Sequence, residues 1–248
     1  MTRLLPHENI IYFGDTARLP YGSKSDNTVI GFSIENVIFL NTFGIKAIVI
    51  ACNTATAVAL DFLRGFIKIP IIGVIEPGVE AAARASRSKR IGVVGTKTTI
   101  KKHAYADALQ EIDPAICVHE IAAPLLVHLV EENWIDRDIT KMILREYLSP
   151  LMPAGVDTLI LGCTHYPFLA KSIQEILPDM ALIDSAHETA IAIKRMLRSE
   201  HLLADATGKG EIRIFLSDVQ PDTIRWICGF MEKDVPVNRV EGFPFLSE

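Results

Sequence analysis

Two of the chain's four cysteines are followed directly by polar residues that could assist proton chemistry. The two segments are Cys52, Asn53 and Thr54, and Cys163, Thr164 and His165. A free thiol has a pKa of about 8.5, so its thiolate is accessible near neutral pH with modest help. A nearby imidazole can move protons on and off the sulfur. The chemistry that these residue types indicate is therefore proton transfer by thiols.

The two cysteine segments belong to an internal repeat. Residues 44–54 read GIKAIVIACNT and residues 155–165 read GVDTLILGCTH, with the cysteine eight positions after the glycine in both. A strand that ends in glycine near a threonine precedes each copy, and a strand that ends in an acid follows it. These flanking features are residues 13–16 and 75–76 for the first copy, and 94–96 and 183–184 for the second. Their common order predicts two similar α/β units.

Short apolar runs alternate with longer amphipathic segments, which predicts parallel sheets covered by helices on both faces. The predicted strands are 10–13, 47–50, 71–75, 91–94, 116–120, 158–161, 181–183 and 212–216. The predicted helices are 27–43, 56–64, 78–85, 101–111, 124–133, 138–148, 168–176, 188–198 and 222–230. Since no linker of biased composition separates two domains, a second unit must be inserted into the first or wound together with it.

This organisation places both cysteines where ligands bind. In open parallel sheets, ligands lie beyond the carboxyl ends of the strands, and Cys52 and Cys163 each follow a predicted strand. If the two units face each other, the thiols line one cleft from opposite walls. A thiolate on one wall could remove a proton from a stereocentre, and a thiol on the other could return a proton to the opposite face. The arrangement fits inversion of a stereocentre.

Composition excludes several other classes of protein. The 248 residues are 49% hydrophobic and 22% charged, which is typical of a globular chain and not of a disordered one. A net charge of −5 without a basic run argues against nucleic-acid binding. Residues 47–60, the longest uncharged stretch, fall short of the ~18 residues that indicate a membrane span. Cysteine and histidine spacings do not fit a metal site, and we expect reduced thiols in a cytoplasmic protein.

Three segments give the chain a family resemblance: GDTARLPYG at 14–22, ACNTA at 51–55 and LGCTHYP at 161–167. Together with shorter matches at 70–77, 95–100, 124–131 and 182–185, they resemble the glutamate racemase family. The resemblance implies a cofactor-independent enzyme, with no bound metal, that makes D-glutamate for peptidoglycan in the cytoplasm. It also implies a homodimer of chains with two pseudo-symmetric α/β domains and an active site in the cleft between them. We expect residues 1–76 and 186–248 to form the domain that carries Cys52, and 77–185 the domain that carries Cys163.

The same resemblance assigns the site residue by residue. It implies catalytic roles for Cys52, Cys163, His165 and Glu131. It implies contact with substrate for Tyr21, Gly22, Asn53, Thr54, Thr96, Thr164 and His165. Members of the family normally begin with a strand that ends in DSGxGG and places an Asp and a Ser beside the first catalytic cysteine. That segment does not occur in this sequence, and we expect its loss to weaken both the sheet and catalysis.

Other hypotheses stay open at this point. The substrate could be aspartate or another acidic amino acid, and the chain could be a truncated, weakly active or inactive homologue that only binds its ligand. A Cys163–His165 hydrolase is a further alternative, but it leaves Cys52 without a role. Cys117 and Cys228 have no polar motif around them, so we expect both to pack in the core. Glu76 and Asp184 could cap the helices that follow them.

Overall fold

A computed structural model describes residues 1–221, 223, 224, 227 and 235–242. The strands are β1 (Ile10–Gly14), β2 (Ile48–Ile50), β3 (Ile71–Gly73), β4 (Arg90–Gly95), β5 (Cys117–Ala122), β6 (Thr158–Gly162), β7 (Ala181–Asp184), β8 (Ile212–Leu216) and β9 (Val237–Arg239). The helices are α1 (Asp26–Asn41), α2 (Asn53–Phe66), α3 (Ile75–Ala85), α4 (Lys97–Lys101), α5 (Ala104–Ile112), α6 (Leu125–Glu131), α7 (Asp138–Leu148), α8 (Ala170–Ile176) and α9 (Ser185–Ser199). The alternation of strands and helices confirms the predicted α/β class.

The sheet that carries Cys163 has four parallel strands in the order β5-β4-β6-β7. Every residue of β6 is buried. Leu159 and Leu161 pack on one side with residues of α6, α7 and α8, whereas Ile160 packs on the other side with residues of α3 and α5. Since successive side chains of a strand point to opposite faces, helices cover both faces of this sheet.

The strands that precede and follow Cys52 form two separate pieces. One is a parallel sheet in the order β1-β8-β9, and the other is the parallel pair β2-β3. The repeat equates β2 with β6 and β3 with β7, so the counterpart of β4 would lie along the edge of β2 that faces away from β3. In the described part of the chain no strand pairs with that edge. This is the place that a further strand beside Cys52 would occupy.

That topology corrects one element of the repeat. The sequence pattern matches residues 13–16 with residues 94–96, which would make β1 the counterpart of β4. However, β4 pairs with β6, whereas β1 pairs with β8. By its order in the chain β1 corresponds instead to β5, since each precedes the strand that ends at a cysteine.

Each copy of the repeat begins with a glycine, and the backbone conformation at that position favours this residue type. Gly44 has φ +63° and Gly155 has φ +68°, both in the left-handed region where a Cβ is strained. Gly44 follows α1, and Gly155 follows the short 3-10 turn Ser149–Leu151 after α7. Both glycines therefore reverse the chain before it enters β2 or β6.

Several details of the predicted elements are wrong. The helix predicted at 101–111 is broken at His103, whose φ of +51° ends α4 before α5 begins. Glu76 lies inside α3 and does not cap it, because β3 ends earlier, at Gly73. Asp184 does cap α9, where its side chain accepts from the Ala186 N–H. Strand β9 was not predicted, and most of the helix predicted at 222–230 lies outside the described residues.

Among the described residues, we find no helix that combines the length and the apolar character needed to cross a bilayer. The division of the chain at residues 76 and 186 stays a prediction.

Replacing Gly44 with alanine tests the role of the left-handed turn. Its Cβ would meet nothing within 4 Å, so the whole cost is backbone strain, and we expect the free energy of unfolding to fall by about 1–2 kcal/mol. Gly65 in α2 is the matched control, because its Cβ would also meet nothing. There alanine should stabilise by about 0.5–1 kcal/mol. Urea denaturation measures both, and a Gly44→Ala variant as stable as the parent chain would refute this role.

Candidate active site

Cys52 and Cys163 lie at the carboxyl ends of β2 and β6, the strands that the repeat relates. Cys52 is the N-cap residue of α2 and is half-buried, whereas Cys163 is buried. The negative charge of a Cys52 thiolate contributes to raising the pKa of Cys163. Thr54, two residues after Cys52, has its Oγ1 2.9 Å from the Oγ1 of Thr96, which directly follows β4, the strand that pairs with β6. The structure therefore brings the two cysteine segments near each other.

The surroundings of Cys163 favour its protonated form. Burial raises the pKa of the Cys163 thiol to about 12, and negative charges on Cys52 and Glu131 also act to raise it. The backbone N–H of His165 and the Thr164 hydroxyl act in the opposite direction. At neutral pH Cys163 is a thiol, and it needs a base or a nearby positive charge before it can act as a thiolate.

His165 and Glu131 lie in series behind Cys163. The Nδ1 atom of His165 is 3.7 Å from the Cys163 Sγ and 3.4 Å from the Thr164 Oγ1. Its Nε2 atom is 3.4 Å from the Glu131 Oε1, and the Oε2 of Glu131 is 3.6 Å from the Nδ1 of His128. The hydrogen bond with His165 lowers the pKa of Glu131, so this group is a carboxylate at neutral pH. The series can pass a proton between solvent and the Cys163 sulfur.

Cys52 has a different environment, built from the start of α2. Burial raises the pKa of Cys52, whereas the N–H groups of Ala55 and Thr54 and the Thr54 hydroxyl lower it. The N-terminus of a helix carries unpaired N–H groups and the positive end of the helix dipole, so it stabilises an anion there.

Three threonine hydroxyls connect the two units beside the thiols. The Thr54 Oγ1 lies 2.9 Å from the Thr96 Oγ1 and 3.3 Å from the Thr99 Oγ1, and the last two atoms are 3.0 Å apart. Thr54 lies in the first turn of α2, and Thr96 is the N-cap of α4, so the cluster joins the starts of two helices. The sequence predicted Thr54 and Thr96 here, but not the buried Thr99.

Tyr21 and Gly22 lie on a loop that is held from both sides. The phenol of Tyr21 donates to Asp15, and the Asn36 amide donates to the Tyr21 oxygen over 3.2 Å. On the other side, the Thr98 Oγ1 donates to the Gly22 carbonyl over 2.9 Å. A Cβ on Gly22 would lie 2.7 Å from the Thr96 Cβ, which is too close for any side chain. Gly22 therefore lets this loop pack directly against the threonine cluster.

Arg18 fixes the base of the same loop. Its Nε donates to the Asp15 Oδ2 over 2.7 Å, its Nη1 donates to Glu35, and its guanidinium lies 3.9 Å from the centre of the Phe32 ring. One cation thus pairs with two buried carboxylates, which is required of charges removed from water. Sequence reasoning missed these residues, although a glutamate within the apolar helix α1 is the signal that could have revealed Glu35.

The other two cysteines, Cys117 and Cys228, are not part of this site as the structure describes it. Cys117 was expected in the core, which is wrong: it begins the edge strand β5 and is exposed, with its Sγ 3.5 Å from the His119 Nε2. Cys228 lies outside the described residues. Across the described ranges, no group of three or more His, Cys, Asp or Glu side chains is arranged to hold a metal ion.

Comparison with known proteins agrees with this geometry. The Asp/Glu/Hydantoin racemase family matches residues 3–193, which is well over half of the chain. The chain belongs to this racemase family. The match includes both cysteine segments, the Tyr21–Gly22 loop and the threonine cluster.

Relatives of known function in this racemase family are similar over most of their length. The chain is 48% identical to a glutamate racemase of Geobacter metallireducens, over 90% of this chain and 83% of that protein. It is 45% identical to a glutamate racemase of Sulfurihydrogenibium sp., over 86% and 80%.

Solved structures of two glutamate racemases share the fold. One from Bacillus anthracis has a TM-score of 0.93 at 39% identity, covering 97% of this chain and 91% of that one. One from Francisella tularensis, in complex with D-glutamate, has a TM-score of 0.92 at 34% identity, covering 99% and 92%. The mixed α/β fold of this chain, with its parallel sheets, is therefore the fold of these two glutamate racemase structures.

Thiol alkylation tests the burial of Cys163. With a pKa of about 12, only a fraction on the order of 10⁻⁴ of Cys163 is thiolate at pH 8, so iodoacetamide should leave it largely unmodified. The exposed Cys117 should react, and its peptide is the internal control. Peptide mass spectrometry reads both sites, and the modification rate of Cys163 should rise about tenfold per pH unit above pH 8. Equal modification of the two cysteines at pH 8 in the folded protein would contradict this environment.

Proposed function

We propose that the chain interconverts L- and D-glutamate by proton transfer at Cα between Cys52 and Cys163, with no cofactor. One observation carries the proposal: two thiols follow the equivalent strands β2 and β6, and the contact between Thr54 and Thr96 holds the two cysteine segments near each other. Identical groups on two walls of one cleft suit a reaction whose substrate and product are mirror images. The glutamate racemases at 45–48% identity support this choice of substrate.

The proposed reaction balances protons between the two sulfurs. A thiolate at one wall takes the Cα proton and becomes a thiol, and the electron pair remains on a carbanion-like Cα. The thiol at the opposite wall gives its proton to the other face of Cα and becomes a thiolate. For the next turnover the protons return to their starting sulfurs through solvent, and the His165–Glu131 series supplies this route beside Cys163. The positive ammonium of the substrate stabilises the thiolate next to it.

We propose that polar groups around the thiols hold the substrate. The N-terminal turn of α2, with Asn53 and Thr54, presents donors to one carboxylate, which is a favourable place for an anion. Thr164, Thr96, Tyr21 and Gly22 surround the remaining polar groups. Holding both carboxylates places Cα between the sulfurs, and this placement lowers the barrier for a weakly acidic proton.

The wider role follows from this reaction. We propose that the D-glutamate is supplied to peptidoglycan synthesis in the cytoplasm, and that the chain acts as a homodimer. The two domains proposed are residues 1–76 with 186–248, and residues 77–185. The four-stranded sheet with its buried clusters, which ends at β7 (Ala181–Asp184), supports the second domain.

Proton NMR in D₂O tests the proposed function directly. The protein is mixed with L-glutamate, and separately with D-glutamate. We expect loss of the Cα proton signal and appearance of the opposite enantiomer in both samples. Aspartate serves as the alternative substrate in a third sample. Folded protein that exchanges aspartate but not glutamate would replace the proposed substrate, and exchange of neither would overturn the racemase.

Serine substitutions test the two thiols separately. Cys52→Ser and Cys163→Ser should each lower turnover by about 10²–10⁴-fold, because a hydroxyl is a far weaker acid than a thiol. Each variant should still exchange the Cα proton of one enantiomer faster than that of the other, and the favoured enantiomer should differ between the variants. Cys117→Ser, on the exposed edge strand, is the control and should turn over normally. Equal loss of exchange from both enantiomers in both folded variants would argue against bases on opposite faces.

A further inference from the structure

We infer that Tyr105, a residue outside the cleft, positions the substrate-binding amide of Asn53. Tyr105 lies near the start of α5 and is fully buried. Its hydroxyl is 2.5 Å from the Oδ1 of Asn53, which stands at the start of α2 in the other unit. A residue of the Cys163 unit thus reaches across to the segment that carries Cys52. The inference rests on the proposed function, since it concerns the carboxylate that Asn53 would bind.

The protonation of the phenol sets the direction of this hydrogen bond. Burial raises the pKa of the Tyr105 phenol, so the group carries its hydrogen at neutral pH. The single hydrogen of Tyr105 is then free to be donated to Asn53. The Asn53 atom that accepts it must be the carbonyl oxygen, since an amide nitrogen offers only donors. Tyr105 is therefore the donor and the Asn53 Oδ1 the acceptor in this hydrogen bond.

This polarity leaves the Asn53 NH₂ group as a donor. Its Nδ2 atom is buried and has no hydrogen-bond partner in the structure, although Asn53 is only 2% exposed. A buried donor without a partner is unfavourable in a folded protein, so this one points to a ligand that accepts from it. Asn53 stands between Cys52 and Thr54, and the acceptor that suits its NH₂ group is a substrate carboxylate oxygen.

The packing around Tyr105 keeps the phenol in this place. A Cβ on Gly162 would lie 3.1 Å from the Tyr105 Cε2, and a Cβ on Gly78 would lie 3.6 Å from its Cε1. The ring fits between the end of β6 and α3, and the apolar cluster of Ile75, Val79 and Ile160 surrounds it. Because this packed side chain has no room to change its χ1 rotamer, the hydroxyl has one position from which to fix Asn53.

The first test observes Asn53 without any substrate. In protein labelled with ¹⁵N-asparagine, the side-chain signals of Asn53 are identified by their absence from Asn53→Ala. We expect these signals to shift and broaden in Tyr105→Phe, since the amide is then free to rotate. Unchanged signals in folded Tyr105→Phe would overturn the inference. This readout is decisive even if glutamate is not the substrate, so it separates failure of the inference from failure of the proposed function.

The second test measures racemisation kinetics. Tyr105→Phe should raise the KM for both enantiomers about tenfold and change kcat less than about twofold, because Asn53 binds the carboxylate equally in ground and transition states. In the Asn53→Ala background, adding Tyr105→Phe should raise KM no further. Thr140→Val is the matched control: it removes another buried hydroxyl, 2.5 Å from the Trp134 carbonyl in the same unit, and should leave KM unchanged. Additive effects of Asn53→Ala and Tyr105→Phe on KM would show that Tyr105 does not act through Asn53.

Discussion

The site depends on the burial of two thiols in one cleft. Cys163 is buried and Cys52 is half-buried, so burial raises the pKa of both cysteines, and a charge on Cys52 opposes a charge on Cys163. Two thiolates cannot be stable together under this constraint, whereas one thiolate and one thiol can. That is the pair of protonation states that proton transfer across a substrate requires. The remaining polar groups of the cleft then serve to stabilise one negative charge at a time.

The groups that stabilise a negative charge differ between the two cysteines. Cys163 has an imidazole and a carboxylate behind it, in the series His165 and Glu131. The thiol of Cys52 is stabilised by N–H groups at the start of α2. The edge of β2 beside it pairs with no strand in the described ranges. The strands around the two cysteines are related by pseudo-symmetry, but the groups that could carry protons to each sulfur differ. Any strand that completed the edge of β2 would bring further side chains next to Cys52.

Most of the fold and part of the site could be predicted from the sequence. Strand positions could be predicted because buried parallel strands are continuous apolar runs, and the repeat of strand and cysteine was sufficient to locate both thiols. Asp15, Arg18 and Glu35 could not be predicted as a network, because nothing local shows that residues separated by a turn and a helix converge behind Tyr21. Tyr105 was hidden for the same reason: its partner Asn53 is 52 residues away in the chain. The exposure of Cys117 follows from its place on an edge strand, which depends on strand order.

The central claim is that two different sulfurs act on opposite faces of Cα. Circular dichroism of a single enantiomer of glutamate, followed to equilibrium in D₂O, tests this claim most directly. With two bases, each product molecule gains a deuteron from solvent while unreacted substrate keeps its proton, so the reverse reaction is slower at first. We therefore expect the signal to cross zero and then return to it, starting from either enantiomer. A monotonic approach to zero, with deuterium appearing equally in substrate and product, would contradict the claim.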